Sequence, residues 1–87
     1  MAVLVTGSEA KKLDKTPSFD ECRALISEKC SLIQTVWMNS KSLMLVDEEG
    51  LMNELPINEI ASEMTGITIV GNAVILTGVE INSVLNS

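Results

Sequence analysis

Three short, almost uninterrupted apolar runs restrict the folds open to this chain more than any other feature. They cover residues 43–46, 67–70 and 73–76. A strand with one face in water alternates apolar and polar side chains, whereas a strand covered on both faces is apolar throughout. The sequence therefore predicts strands that are buried on both sides of a sheet.

Turn-forming residues between these runs predict antiparallel hairpins. Residues 39–42 separate a strand over 32–38 from the run at 43–46, and Gly71-Asn72 separates the other two runs. A pair such as Gly-Asn between two strand-like segments is typical of a two-residue hairpin. The sheet is therefore expected to be mainly antiparallel.

The remaining strand and turn predictions are more local. Residues 3–6 are mainly β-branched and predict a strand, whereas 7–17 are polar and charged and predict a connection without a packing face. Gly50 after the acidic residues suggests a tight turn with positive φ, and Leu51-Met52 is expected to return beside 45–46. Residues 79–85 fit either a short helix or an edge strand.

Two helices are predicted from their capping residues. Ser18 and Glu21 have the spacing of a capping box, and apolar residues recur at helical intervals from Ser18 to Lys29. Asn58 is a good N-cap for a second helix, and Gly66 is placed to end it. The chain is thus a single α+β domain over 1–87, with two short helices covering one face of its sheet.

Two short helices leave the second face of this sheet without a cover. We therefore expect homo-oligomerisation, in which a second subunit covers the remaining apolar surface. The alternative is a small sheet that closes on itself and buries its own interior.

The charge balance limits the partners of the chain. Twelve acidic residues against six basic ones give a net charge of −6 among 87 residues. Phosphate backbones and anionic membrane surfaces repel such a chain, so neither direct nucleic-acid binding nor membrane attachment is expected. No apolar run approaches the ~18 residues of a membrane helix, and the first residues lack a basic leader. A cytoplasmic protein is predicted.

The two cysteines also favour a reducing compartment. Cys22 and Cys30 are eight positions apart. On one helix their Cα atoms would be ~12 Å apart, beyond the ~7 Å limit for a disulfide. Two free thiols are therefore expected, with small apolar filling as their main role.

The residue types needed for catalysis are scarce. The chain has no histidine, the commonest general base and zinc ligand, and no tyrosine. It has no paired-cysteine motif and no glycine-rich phosphate loop. Ser8 and Lys11 match a serine–lysine spacing without its partner motifs, which indicates chance. We therefore predict neither an enzyme, nor a cofactor, nor a metal site.

An Asp-Glu-Glu-Gly turn followed by leucine at 47–51 precedes a Leu-Pro-x-Asn element at 55–58, Ala61-Ser62, and the segment Ile-Val-Gly-Asn-Ala-Val at 69–74. These residues carry a resemblance of 43–76, and more weakly of 25–36, to a family of small phage and mobile-element proteins to which no activity has been assigned. It implies a small accessory protein that binds a host protein in the host cytoplasm and modulates or inhibits it, with a possible role against host defences.

Five residues are candidates for contact with such a protein. Trp37 is one of two aromatic residues and belongs either to the core or to an interface, where tryptophan is over-represented. Met38 lies beside it. Methionine side chains are flexible, so Met38 either fills a gap in the core or belongs to an adaptable binding surface. Asp47, Glu48 and Glu49 form the one acidic cluster, which is either a solvated turn or a contact with a basic surface.

A small nucleotide-like ligand at subunit interfaces is the alternative. Backbone N–H groups at Gly7 and Gly71 would then contact the anion. The supporting side chains would be Lys11, Lys12, Arg23, Lys41 and Asn72.

Overall fold

The chain folds around one antiparallel sheet, as a computed structural model covering residues 2–28 and 30–86 shows. Within these residues the sheet has five strands in the order β2-β1-β5-β4-β3. The strands are β1 (Val3–Val5), β2 (Ala10–Lys12), β3 (Ile33–Asn39), β4 (Ser42–Asp47) and β5 (Ala73–Thr77). The helices are α1 (Phe19–Ile26), α2 (Glu59–Thr65) and α3 (Val79–Leu85). The predicted α+β class and antiparallel sheet are confirmed.

The inner strands β4 and β5 are buried on both faces. Leu43 and Leu45 pack on one side, in a cluster that includes Ile26 of α1 and Val84 of α3. The alternate residues Met44 and Val46 pack on the other side, in a cluster that includes Ala61 of α2. This confirms the double burial predicted for residues 43–46 and 73–76.

The helices differ from the prediction in number and in placement. The ambiguous residues after Gly78 form α3, so the described chain has three helices rather than two. Since α1 and α3 belong to one cluster and α2 to the other, both faces of the sheet are covered rather than one. Burial of β4 and β5 is thus achieved within one chain and no longer requires a second subunit. Homo-oligomerisation stays a prediction.

Residues 67–70 do not form the predicted hairpin with 73–76. They make an isolated bridge between Ile57 and Val70 instead. The backbone N–H of Asn58 donates to the carbonyl of Ile69 at 2.7 Å. The physical reason is that both edges of β5 are occupied by β1 and β4, so no edge is free for residues 67–70.

The capping residues of α1 and α2 act as predicted. Ser18 and Glu21 form a complete capping box at the start of α1. Asn58 caps α2, and Gly66 ends it in the left-handed region with φ of 77°. Helix α1 ends at Ile26, before Cys30, and Lys29 lies outside the described residues. Both cysteines are free.

Strand β2 lies in the segment that was predicted to be a connection. Its three residues are exposed, and it pairs only with β1. An edge strand that packs on nothing needs no apolar side chains, and lysines on an edge discourage pairing with other chains. No helix within residues 2–28 and 30–86 has both the length and the apolar character needed to cross a membrane.

The buried thiol of Cys22 makes stability depend on alkaline pH. Burial, together with the nearby carboxylate of Glu21, raises the pKa of Cys22 from 9.0 to about 11. The unfolded chain releases this proton at the lower pKa, so the stabilisation is complete below pH 9 and is lost as pH rises toward 11. We expect a loss of about 2 kcal/mol in the free energy of unfolding.

Urea unfolding of wild type and of Cys22→Ala, below pH 9 and near pH 11, measures this loss. The Cys22→Ala protein should lose most of the alkaline dependence, whereas Cys30→Ala should keep most of it, because it retains the Cys22 thiol. Burial also raises the pKa of Cys30, but this thiol is only partly buried. An identical pH dependence in all three proteins would contradict the assignment to Cys22.

Candidate functional site

Asp47 organises the acidic turn from beneath its surface. It ends β4 and is only 3% exposed. Its Oδ1 accepts from the backbone N–H of Glu49 at 2.8 Å, and its Oδ2 accepts from the Nδ2 of Asn53 at 2.9 Å. Further backbone bonds join Asn53 to Glu49 at 2.9 Å and Leu55 to Gly50 at 3.0 Å. These bonds hold the loop that follows β4 in one shape.

Gly50 ties this loop to the segment before β5. A Cβ atom at Gly50 would lie 2.3 Å from the Cγ2 atom of Val70 and 3.3 Å from the carbonyl oxygen of Asp47. Gly50 is not among the glycines with positive φ. The predicted reason for glycine was therefore wrong, because the requirement is close packing rather than a left-handed backbone.

Above this framework, apolar and acidic side chains lie together in solvent. Leu51 is 80% exposed, Met52 78% and Ile67 50%. Glu48 is exposed beside them, and Glu49 accepts a hydrogen bond from the Ser31 hydroxyl at 2.9 Å. The exposed apolar residues and the two glutamates line a cavity of about 390 Å³, on the side of the sheet where α2 packs. We call Glu48, Glu49, Leu51, Met52 and Ile67 the acidic–apolar surface.

The acidic–apolar surface has the composition of a protein-binding site. Single exposed apolar side chains are common on protein surfaces. A group of them around a concavity, with polar residues at its rim, is typical of an interaction site. None of the described residues that line the cavity is basic. Because the loop is already fixed by its hydrogen bonds, little conformational entropy is lost when a partner binds.

The predicted protein-binding residues do not form one surface. Glu48 and Glu49 belong to the acidic–apolar surface, whereas Asp47 lies under it. Met38 is partly buried against the cluster on the α2 face. Trp37 is 58% exposed, but it alternates with Val36 and Met38 along β3 and so lies on the opposite face. It also pairs with Leu43, at the other end of β4 from Asp47.

Part of the predicted ligand-binding set is brought together. Gly7, Gly71 and Asn72 line one cavity of about 200 Å³. However, the backbone N–H of Gly71 donates to the carbonyl of Pro56 at 2.7 Å. The Nδ2 of Asn72 donates to the carbonyl of Leu25 at 3.2 Å. These donors are therefore already used within the fold.

The basic residues of that set lie apart from this cavity. Lys11 and Lys12 are neighbours on β2, so their side chains point to opposite faces. Arg23 pairs with Asp20 on α1 at 2.8 Å. Lys41 is in the turn between β3 and β4, where its carbonyl accepts from Gly78. No group of three potential metal ligands occurs in residues 2–28 and 30–86.

Three members of the surface were missed from the sequence, namely Leu51, Met52 and Ile67. Leu51-Met52 was predicted to pair beside residues 45–46, and Ile67 to begin a strand, but all three residues lie outside the strands of the sheet. The signal against this was local, since the Leu51-Met52 pair lies between Glu49-Gly50 and Asn53-Glu54. Turn-forming residues on both sides of a short apolar pair favour a loop tip over a strand.

Comparison of the chain with protein-family models, with curated proteins and with solved structures found no match. The resemblance to small phage proteins therefore stays a prediction.

Proposed function

We propose that the chain is a non-catalytic, phage-type accessory protein that binds a host protein through the acidic–apolar surface and thereby modulates or inhibits it. The observation that carries this proposal is the exposure of Leu51 and Met52, 80% and 78%, on a loop that hydrogen bonds hold in place. Exposing two large apolar side chains on a fixed loop weakens solubility without helping the fold, so a binding role explains it best.

The chemistry of this surface specifies the partner's surface. A projecting apolar side chain fits the cavity between Leu51 and Ile67, and basic side chains around it pair with Glu48 and Glu49. The net charge of −6 speeds the approach to a basic surface. The resemblance to phage proteins makes a host protein the expected partner.

Binding rather than turnover is favoured by the side chains that the chain offers. It contains no histidine, and its acidic cluster places one carboxylate, that of Asp47, in a purely structural role. Glu48, the exposed member, lies in solvent and is placed to meet a charged partner surface. A charged contact is the better use of such a group.

The proposal is tested by affinity capture from bacterial lysate followed by measurement with the purified partner. Leu51→Glu is expected to weaken binding by at least about 30-fold, the effect of removing a hot-spot side chain. Glu48→Lys should slow association and weaken its salt dependence, because it inverts one rim charge of a surface that stays acidic.

Two variants serve as matched controls. Val79→Glu makes the same chemical change at a side chain that is 87% exposed, at the opposite end of β4 and β5 from the acidic turn. Trp37→Ala removes a large exposed side chain on the other face of the sheet. Both should bind like wild type. If the partner bound Leu51→Glu and Glu48→Lys as tightly as wild type, the acidic–apolar surface would not be the binding site.

A further inference from the structure

Strand β3 is an open and uncharged edge of the sheet. It is the last strand in the order β2-β1-β5-β4-β3. Its seven residues, Ile33–Asn39, include no charged side chain, and Gln34, Thr35 and Trp37 are exposed. A long edge strand without lysine or proline is a ready template for pairing with another strand.

The register of β3 shows which backbone groups are available. The backbone N–H of Glu48 donates to the carbonyl of Leu32 at 3.0 Å, so residues 32 and 48 form a hydrogen-bonded pair. Such pairs alternate along an antiparallel ladder. Gln34 and Val36 therefore bond inward to β4, in the register that joins them to Val46 and Met44. The register is regular from Ile33 to Trp37 and shifts only between Trp37 and Asn39, so the N–H and C=O groups of residues 33, 35 and 37 face the open edge.

We propose that β3 pairs with β3 of a second copy of this chain, antiparallel about a two-fold axis at Thr35. In this register Thr35 lies opposite the partner subunit's Thr35, and Ile33 lies opposite the partner subunit's Trp37. Directly opposed residues lie on the same face of the sheet. Ile33 therefore packs on the aromatic ring of the partner subunit's Trp37, and Thr35 packs on the partner subunit's Thr35. All three outward-facing residues of each strand then form hydrogen bonds.

Charge favours a second copy as the occupant of this edge. Two chains of net charge −6 repel each other over most of their surfaces, but β3 carries no charge. The two-fold also brings the acidic end of β3, beside Glu48, near the partner subunit's β3–β4 turn, which contains Lys41. The other sheet edge, β2, is only three residues long and carries Lys11 and Lys12. Self-pairing is thus directed to β3.

The exposure of Trp37 supports the same arrangement. Its side chain is 58% exposed, although it lies on a strand whose neighbour β4 is buried from Leu43 to Asp47. In the paired sheet it packs across the strand boundary on Ile33 of the second copy, which removes apolar surface from water. The apolar members of the acidic–apolar surface (Leu51, Met52 and Ile67) lie outside β3, so a dimer leaves them exposed for the proposed function, whereas Glu48 adjoins both surfaces.

The test compares substitutions at the two sheet edges. Thr35→Pro removes an outward N–H without removing a bond to β4, and Thr35→Lys places like charges opposite each other. Ala10→Lys makes the same charge change on the exposed edge strand β2. Sedimentation velocity reports the mass against the 9.4 kDa of one chain. Fluorescence of Trp37, the single tryptophan, reports its burial.

We expect wild type and Ala10→Lys to sediment at twice the chain mass, with Trp37 emission that shifts to the red on dilution. Thr35→Pro should be monomeric, and Thr35→Lys should raise the dimer dissociation constant at least about ten-fold. In both variants Trp37 should emit as an exposed residue at every concentration. A monomeric wild type, or a dimer that persists in both Thr35 variants, would overturn the proposal. So would pairing of β3 with an extended peptide of another protein in place of a second copy.

Discussion

Replacing Asn58 by alanine is expected to lower the free energy of unfolding by about 4 kcal/mol, a large part of the total for a small domain. The Asn58 side chain is 1% exposed and makes three hydrogen bonds. Its Nδ2 donates to the carbonyls of Val5 at 3.0 Å and Gly71 at 2.9 Å, and its Oδ1 accepts from the N–H of Ala61 at 3.0 Å. Alanine leaves all three backbone groups buried without this partner.

Urea unfolding measures this effect, and two further variants show its cause. Asn39→Ala removes an exposed asparagine that accepts a single bond, from Lys41 N–H at 2.8 Å, and should change stability much less. Asn58→Asp keeps the acceptor for Ala61 but replaces the Nδ2 group, which donates two hydrogen bonds, by one oxygen that faces the carbonyls of Val5 and Gly71. It should therefore be more stable at acidic pH, where the carboxyl is protonated, than at neutral pH. A loss below about 1 kcal/mol in Asn58→Ala would show that water replaces the missing bonds.

Gly71→Ala is expected to cost about 3 kcal/mol, for two reasons that can be separated. Gly71 has φ of 78°, a conformation that costs a residue with a Cβ about 1–2 kcal/mol. A Cβ there would also lie 2.6 Å from the Cδ1 atom of Leu55, which adds the cost of overpacking. Neither of the backbone bonds of Gly71 is lost in this variant.

Gly66 provides the matched control for Gly71. It has nearly the same φ, 77°, but no atom lies within 4 Å of an added Cβ. Gly66→Ala should therefore show the backbone strain alone, and its difference from Gly71→Ala measures the contact with Leu55. Adding Leu55→Ala to Gly71→Ala should recover part of that difference in a double-mutant cycle. Equal costs at the two glycines would indicate that Leu55 moves away freely.

Local capping and burial patterns are the parts of this fold that the sequence predicts well. The capping box of Ser18 and Glu21 and the N-cap of Asn58 depend on residues a few positions apart, so they act whatever the rest of the chain does. The hairpin of β3 and β4 is also local. The sequence predicted burial of residues 43–46 on both faces because such a strand shows no alternation of apolar and polar side chains.

The errors concern choices that depend on distant residues. Residues 67–70 have the composition of a strand, yet β1 and β4 occupy both edges of β5 and leave them only a bridge to Ile57. Strand β2 lacks any apolar pattern because its partner β1 supplies the pairing. The face that a helix covers is likewise set by the path of the whole chain, which no local pattern contains.

The candidate site was predictable only in part. The acidic residues were recognised as a group, but composition does not show that Asp47 lies beneath the loop while Glu48 lies outside it. That division follows from the partners of Asp47 on Glu49 and Asn53, which require the loop to be closed. Trp37 and Glu48 were both predicted to contact one partner protein, although they lie at opposite ends of the β3–β4 hairpin.

The position of β5 between β1 and β4 has a consequence for biosynthesis. Strand β1 pairs with β5 through the pairs Val3–Ile75, Leu4–Val74 and Val5–Ala73. Strand β1 therefore cannot form this pairing until residues 73–77 have been synthesised. Until residue 77 leaves the ribosome, β1 and β4 each present a free apolar edge to other nascent chains. Such long-range pairing slows folding and prolongs that exposure. The period of greatest aggregation risk is therefore during translation itself, and a chaperone that holds the emerging N-terminal half is expected to raise the yield of native protein.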